Sequence, residues 1–132
     1  MLFRSVDELV RANVPLAIGP TDGQPSKIEL ENKSWQTPGI LSRAGCQVSI
    51  ITDSPVTMQS QLRLCAAMAI ENGMDPHEAL RAITINPARH IGVADRVGSL
   101  EVGKDADIIL TDGSLFALQT HVVAVYIDGR RI

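Results

Sequence analysis

The sequence predicts an α/β fold in which parallel strands and helices are followed by an antiparallel β tail. Two apolar runs, Pro15–Gly19 and Cys46–Thr52, have the length and composition of strands that are buried on both faces of a parallel sheet. A helix signal lies between them, so the three segments form a right-handed βαβ unit. From Val97 onward, turn signals separate short β-rich runs, which is typical of antiparallel strands.

The first two helices are predicted from capping signals. The segment Ser5–Glu8 has the pattern of a capping box, which starts a helix that runs to about Asn13. Thr37 caps the next helix, with Pro38 at its first position and Gly45 at its end. This second helix is the crossover of the βαβ unit.

The later helices are predicted in the same way. Met58–Asn72 has apolar residues three and four positions apart, and Gly73 closes this helix. Asp75–Glu78 is a second capping box and opens a further helix. The Asn86–Pro87 pair interrupts that helix, and one short turn follows. We expect the Asn86 side chain to bond to the loosened backbone at this joint.

The tail contains three predicted strands: Ala106–Leu110, Val122–Ile127 and Arg130–Ile132. Asp128–Gly129 between the last two strands is typical of a two-residue hairpin turn. Lys104 lies in the turn before the first of these strands, and we expect its side chain to face water. The chain is therefore predicted to divide into residues 1–92 and residues 93–132.

Composition excludes several classes of function. The chain has 132 residues, 45% of them hydrophobic, a net charge of −3 and only 3% aromatic residues, so neither a basic face nor a base-stacking platform for nucleic acid is expected. No apolar run approaches the roughly 18 residues that span a bilayer, and the first residues do not resemble a signal peptide. Cys46 and Cys65 lie in apolar segments and are expected to be free thiols in a cytoplasmic protein, with a disulfide or metal site as the alternative.

Asp53 is the candidate for chemistry. It directly follows a buried strand, which places its carboxylate at the carboxyl end of the parallel sheet, where α/β proteins build active sites. Two interpretations are open. Asp53 or Ser54 is a helix cap with Pro55 at the first helical position, or Asp53 is a metal ligand and proton shuttle.

Other polar residues give weaker signals. His77, His90 and His121 have no spacing that would place two imidazoles on one metal, so solvated or packing roles are expected. The long Thr21–Gln36 loop follows a strand on the same side of the sheet as Asp53. It is either a solvated loop or part of the mouth of an active site. The residues of this loop that carry interest are Asp22, Lys27, Glu29, Glu31, Lys33 and Trp35.

Four segments together resemble the C-terminal end of a metal-dependent amidohydrolase, and they are Thr37–Gly45, Ile51–Pro55, Thr84–Gly92 and Gly98–Ile109. The first is similar to the imidazolonepropionase-like branch of the superfamily. The resemblance implies a partial (β/α)8 TIM-type barrel, since a complete barrel needs about 250 residues. Pro15–Gly19 and Cys46–Thr52 then correspond to the seventh and eighth barrel strands, and residues 93–132 to C-terminal strands of a small β-sandwich domain.

The resemblance also implies a chemistry. Such enzymes use a divalent metal, zinc or iron, to hydrolyse a non-peptide C–N bond in a small cyclic amide or amidine, and the aspartate that ends the eighth strand binds the metal and moves a proton. That aspartate corresponds to Asp53. The family's histidine ligands have no counterpart here, so we expect this chain to be inactive and without stable metal on its own. The alternative is an interaction module that has lost the chemistry.

Open strand edges predict association. In a whole barrel, the strands Pro15–Gly19 and Cys46–Thr52 would have neighbours that this chain does not contain. We therefore expect a homo-oligomer whose interface includes Pro15–Gly19 or Val122–Ile132, or association with an N-terminal portion. No nucleic-acid or membrane partner is expected.

Overall fold

The computed structural model describes residues 2–20 and 33–132. The helices are α1 (Leu2–Ala12), α2 (Thr37–Arg43), α3 (Leu62–Glu71), α4 (Pro76–Ala82) and α5 (Ile85–His90), and a 3-10 turn covers Gln59–Gln61. The strands are β1 (Leu16–Ile18), β2 (Val48–Ile50), β3 (Ile108–Thr111), β4 (Val122–Ile127) and β5 (Arg130–Arg131). None of the described helices is long and apolar enough to cross a membrane.

The predicted βαβ unit is present. β1 and β2 pair in parallel, with Leu16 beside Val48 and Ile18 beside Ile50, and α2 lies between them in sequence. Burial on both faces holds for β2, whose three residues are all buried, but it is wrong for β1, where Ala17 is exposed. The reason is the position of the helices. β2 contacts α2, α3, α4 and α5, so its two faces are covered within the described residues.

The core lies where these helices meet β2. It consists of aliphatic and small side chains from β2, α2, α3, α4 and the α3–α4 connection, namely Leu41, Val48, Ile50, Cys65, Ala66, Ala69, Met74, Ala79 and Ala82. Alanines at the contacts let the short helices approach the strand closely. The β3–β4 connection reaches the same core, because Phe116 packs against it and Arg63 Nη1 donates to Thr120 O at 3.1 Å.

The predicted helix ends agree with the structure better than the predicted helix starts do. α2 and α3 both end in a glycine with positive φ, Gly45 (93°) and Gly73 (96°). The next N–H bonds back across each terminus, from Cys46 to Leu41 O at 3.0 Å and from Met74 to Ala69 O at 2.9 Å. These are Schellman motifs, in which glycine avoids the penalty of a left-handed conformation.

Three predicted helix starts are wrong. α1 begins at Leu2, so Ser5 lies inside the helix and its capping box does not open it. The N-cap of α2 is Gln36 rather than Thr37, and no side chain caps it. α3 begins at Leu62, after the 3-10 turn, rather than at Met58. Capping patterns are local, whereas the packing of the preceding turn decides where a helix begins.

The capping box that opens α4 is half confirmed, and the joint after α4 lies earlier than predicted. Asp75 Oδ1 accepts from the N–H groups of His77 and Glu78 at 2.9 and 3.1 Å, whereas the Glu78 carboxylate pairs with Arg81 at 3.5 Å.

α4 ends at Ala82 and α5 includes Pro87, so Asn86–Pro87 does not form the break between the two helices. Pro87 is the third residue of α5, where an N–H has no intrahelical partner, so proline costs the helix no bond.

The tail forms one antiparallel sheet in the order β3–β4–β5. β3 pairs with β4 from Ile108 beside Tyr126 to Thr111 beside Val122, with a register shift after Leu110. The predicted hairpin turn is confirmed, because Asp128 and Gly129 have φ of 49° and 73°, as a type I′ turn requires. β3 begins two residues later than predicted.

The expectation that Lys104 faces water is wrong. Its side chain is only 11% exposed, and Nζ donates to Ser99 Oγ at 2.6 Å and lies 3.3 Å from Glu101 Oε1. Ser99 Oγ in turn donates to Glu101 Oε1 at 2.6 Å. Lys104 thus closes the Ser99–Lys104 turn from inside, a contact between residues five apart that a turn pattern does not specify.

Candidate active site

The candidate site lies at the carboxyl ends of β1 and β2. Beyond the paired residues, Ile51 N donates to Ile18 O at 3.0 Å, so the two chains stay together for one more residue. β1 then continues into Gly19, and β2 into Thr52 and Asp53. Both connections leave from the same edge of the sheet, as parallel strands require.

Gly19 sets the distance between the two chains at this edge. Its φ is 143°, and a Cβ built on it would lie 2.0 Å from Ile51 O. No side chain fits in that space, so the β1 backbone lies directly against the residue two positions before Asp53. The apolar run Pro15–Gly19 predicts Gly19 only as the end of a strand. The available signal was a glycine at a strand end, which marks a close approach of backbones.

Asp53 heads a compact turn. Val56 N donates to Asp53 O at 2.9 Å, and Thr57 N donates to Thr52 O at 3.1 Å. Thr52 and Thr57 are buried, whereas Asp53 is exposed. Asp53 has φ of 49°, a left-handed conformation that aspartate tolerates better than most residues. Two buried threonines therefore anchor the turn, and the Asp53 carboxylate faces solvent at the strand end.

The helix-cap interpretation of Asp53 is excluded. The next helical element is the Gln59–Gln61 turn, whose N-cap is Met58, and Pro55 lies in the turn that Asp53 heads rather than at a first helical position. The other interpretation, a metal ligand and proton shuttle, requires an exposed carboxylate at the strand end. Asp53 has that position.

Two of the three histidines are solvated, as the sequence predicted. His77 is in the first turn of α4 and His90 is the last residue of α5, and both are exposed. His121 is engaged with Asp112, which accepts from His121 N at 2.8 Å and lies 3.2 Å from its Nδ1. Hydrogen bonds from the His121 backbone and ring lower the pKa of Asp112 below its ordinary value of 3.8.

The described residues do not by themselves fit a catalytic metal. Among them, no three His, Cys, Asp or Glu side chains are grouped as a metal site. A catalytic zinc normally takes three protein ligands, and Asp53 offers one. Cys46 is half-buried and Cys65 is buried, and neither forms a disulfide, which confirms that part of the expectation. Of the loop candidates, Trp35 packs against the core, while Asp22, Lys27, Glu29 and Glu31 lie outside the described residues.

Comparison with known proteins identifies the family. Residues 5–132 match the family model described as "Amidohydrolase family". The chain belongs to the amidohydrolase family. An imidazolonepropionase of Thermoplasma acidophilum is 43% identical over 68 residues, which are 50% of this chain and 17% of that protein. An adenine deaminase of Methanothermobacter thermautotrophicus is 33% identical over 94 residues, which are 70% of this chain and 16% of that protein.

Solved amidohydrolases share the fold. An amidohydrolase from Thermotoga maritima matches with a TM-score of 0.93 and 32% identity, over 98% of this chain and 34% of that one. An adenosine deaminase from Xanthomonas campestris with bound zinc matches with a TM-score of 0.63 and 25% identity, over 98% and 34%. The predicted resemblance is thus confirmed. This amidohydrolase chain spans about a third of these structures and less than a fifth of the curated relatives named above.

Proposed function

We propose that this chain is the C-terminal part of a metal-dependent amidohydrolase that cleaves a non-peptide C–N bond, with Asp53 in its catalytic centre. The observation that carries the proposal is the exposed Asp53 carboxylate at the carboxyl end of β2, in a chain of this family. β1 and β2 would be the seventh and eighth strands of a (β/α)8 barrel. Residues 1–92 would be the barrel portion and residues 93–132 the sandwich portion.

Asp53 would hold the metal and move a proton. A divalent ion, zinc or iron, polarises the substrate carbonyl and lowers the pKa of water when it is bound. One Asp53 oxygen would be a ligand. The carboxylate would accept the proton that water loses as its oxygen bonds to the carbonyl carbon, and would return that proton to the nitrogen as the C–N bond breaks. The turn anchored by Thr52 and Thr57 holds the carboxylate in place for both transfers.

The substrate would be a small cyclic amide. Relatives named imidazolonepropionase and adenine deaminase point to two C–N bonds, an amide within a ring and an amine on an amidine carbon. We favour the ring amide because the segment Thr37–Gly45 is similar to the imidazolonepropionase-like branch of the superfamily. Hydrolysis of a ring amide opens the ring, whereas hydrolysis of an amine on an amidine carbon releases ammonia. Assaying one compound of each kind therefore distinguishes the two substrate classes.

Activity would require a further polypeptide segment. The described residues contain one candidate ligand, and this chain spans about a third of the solved relatives. The remaining ligands would come from strands that precede β1 in those proteins. The isolated chain would therefore be inactive in the cytoplasm until it associates with such a segment.

The test begins with the gene. A reading frame upstream of Met1 should encode a strand with a His-x-His pair, and its product should be co-expressed with this chain. We expect the assembly to hydrolyse an imidazolone, and Asp53→Asn to lower kcat by about 10²-fold or more, as loss of a general acid–base does. Asp95→Asn, which changes another exposed aspartate, is the matched control. Equal activity of the two variants, or a locus without a His-x-His strand, would contradict the proposal.

The second candidate is a non-catalytic interaction module. The observation that favours it is that Asp53 stands without further grouped ligands among the described residues, whereas strand edges are available for pairing. Stoichiometric zinc together with amide hydrolysis by the purified 132-residue chain would rule this candidate out.

A further inference from the structure

β3 has a free backbone edge. Within residues 2–20 and 33–132, the strand pairs with β4 on one side only. Ile132 N donates to Val125 O at 3.0 Å, so the peptide groups of Val125 face β5. Ile109 of β3 lies opposite Val125 of β4. Because the peptide groups of Val125 face β5, Ile109 and Val125 form a non-hydrogen-bonded pair of the antiparallel ladder. The N–H and C=O of Ile109 therefore point outward, away from the sheet.

An apolar groove runs along this edge. It has a volume of about 490 Å³ and lies between β3, the start of the tail and the α4–α5 helices. Its aliphatic lining is Leu80, Ile85, Leu100, Ile108, Ile109 and Leu115. Leu100 is 80% exposed and Ile109 is 52% exposed. Proteins usually protect an edge strand with a charge or a proline, and Ile108–Thr111 contains neither.

We propose that β3 pairs with β3 of a second copy of this chain about a two-fold axis at Ile109, which joins two three-stranded sheets into one of six strands. The register supports self-pairing. Antiparallel pairing centred on Ile109 sets Ile108 opposite Leu110 of the second copy and Asp107 opposite Thr111 of the second copy. No two like charges meet, and the outward groups of each Ile109 bond reciprocally.

The other strand edges of the tail are poorer candidates. β4 pairs with β3 on one side and with β5 at Tyr126 and Ile127 on the other, so among the described residues only the short stretch Val122–Ala124 is left without a partner on the β5 side. β5 has a free edge, but it consists of Arg130 and Arg131, and pairing with itself would bring arginines together. Within the predicted Val122–Ile132 interface, few backbone N–H and C=O groups are therefore open for pairing with a second chain. The groove beside β3 also offers exposed leucines, so pairing there removes apolar surface from water.

Two pairs of variants test the proposal. Ile109→Pro removes the outward N–H, while the ladder bonds to β4 come from Ile108 and Leu110, so β3 should stay in its sheet. Ile109→Val keeps the N–H and is its control. Leu100→Asp places a charge in the groove, and Leu118→Asp changes a leucine that is equally exposed, at 79%, but lines a different crevice on α3.

Sedimentation equilibrium gives the readout. We expect the wild type to reach twice its 14.2 kDa mass at about 200 µM. Ile109→Pro and Leu100→Asp should raise the dimer dissociation constant by about tenfold or more, whereas both controls leave it unchanged. Circular dichroism confirms that each variant is folded. If Ile109→Pro does not fold, the Leu100 and Leu118 pair decides alone.

Three results would overturn the proposal. A wild-type monomer throughout the concentration range would do so, as would equal effects of Leu100→Asp and Leu118→Asp. The third is a monomer in which Leu100→Asp weakens only the binding of a co-expressed upstream polypeptide, and this result would assign the groove to that polypeptide.

Discussion

The Asn86 side chain occupies the outer edge of β2. Its Nδ2 donates to Val48 O at 2.9 Å, and both residues are buried, with Asn86 5% and Val48 1% exposed. Leu16 N bonds to Gln47 O, so the next carbonyl along the strand, that of Val48, points away from β1. Asn86 therefore supplies the donor that a neighbouring strand would otherwise provide, and it fixes α5 to the sheet.

Removing this amide should destabilise the chain. Asn86→Ala leaves the buried Val48 carbonyl without its donor, and we expect the free energy of unfolding to fall by about 1–3 kcal/mol in urea titrations. Asn72→Ala is the control. Asn72 Nδ2 also donates to a carbonyl, Met68 O at 2.8 Å, but that oxygen keeps the Asn72 N–H at 3.2 Å. Equal losses in the two variants would show that the Val48 contact has no special weight.

Gly19 should tolerate no side chain. In Gly19→Ala the new Cβ meets Ile51 O at 2.0 Å, so the strands must separate at the edge that carries Asp53, and we expect a loss of at least about 3 kcal/mol. Gly45→Ala, at φ of 93° with no atom within 4 Å of the new Cβ, should cost about 1 kcal/mol. Chemical denaturation of both variants compares them directly, and similar midpoints would contradict the close approach.

Stability should fall in acid. Hydrogen bonds from Ser99 and Lys104, together with the charge of Lys104, lower the pKa of Glu101 below its ordinary value of 4.5. Because the folded-state pKa is the lower one, the stabilisation is present above the unfolded-state value and is lost as pH falls through the folded-state value. Glu101→Gln should flatten the fall in unfolding free energy below pH 4.5, whereas Glu71→Gln, at another exposed glutamate, should leave it steep. Urea titrations between about pH 7 and pH 3 measure this, and parallel curves for the two variants would refute it.

The isolated chain should bind no catalytic metal tightly. Asp53 provides one carboxylate, and the described residues group no further ligands with it. Elemental analysis after dialysis against zinc-free buffer should find well under one zinc or iron per chain. A full equivalent that Asp53→Asn removes would mean that a second copy, or one of the three histidines, completes the site.

Local signals in the sequence predicted much of the fold. The apolar runs around Ile18 and Ile50 predicted the parallel pair, because their length and composition suit a sheet flanked by helices. Gly45 and Gly73 predicted two helix ends, because few other residues adopt positive φ at a helix terminus. Asp128–Gly129 predicted the hairpin for the same reason. Each of these signals lies within a few residues of the structure that it determines.

For the candidate site, the sequence supplied the position of Asp53 and its family, and the tertiary structure excluded the helix cap by placing Pro55 in a turn. Contacts distant in sequence were not predictable. Asn86 bonds to a strand 38 residues earlier, and the carbonyl of Ile51 explains Gly19.

The sequence by itself determined the α/β fold class, the strand that precedes Asp53, the hairpin and the family. Only the tertiary structure decided that Asn86 covers the edge of β2, that the Lys104 side chain is largely covered, and that Ile109 lines a groove beside the β3 edge. The physical reason is range. Propensity, capping and turn chemistry act between near neighbours, whereas burial and edge pairing depend on which segments meet in space.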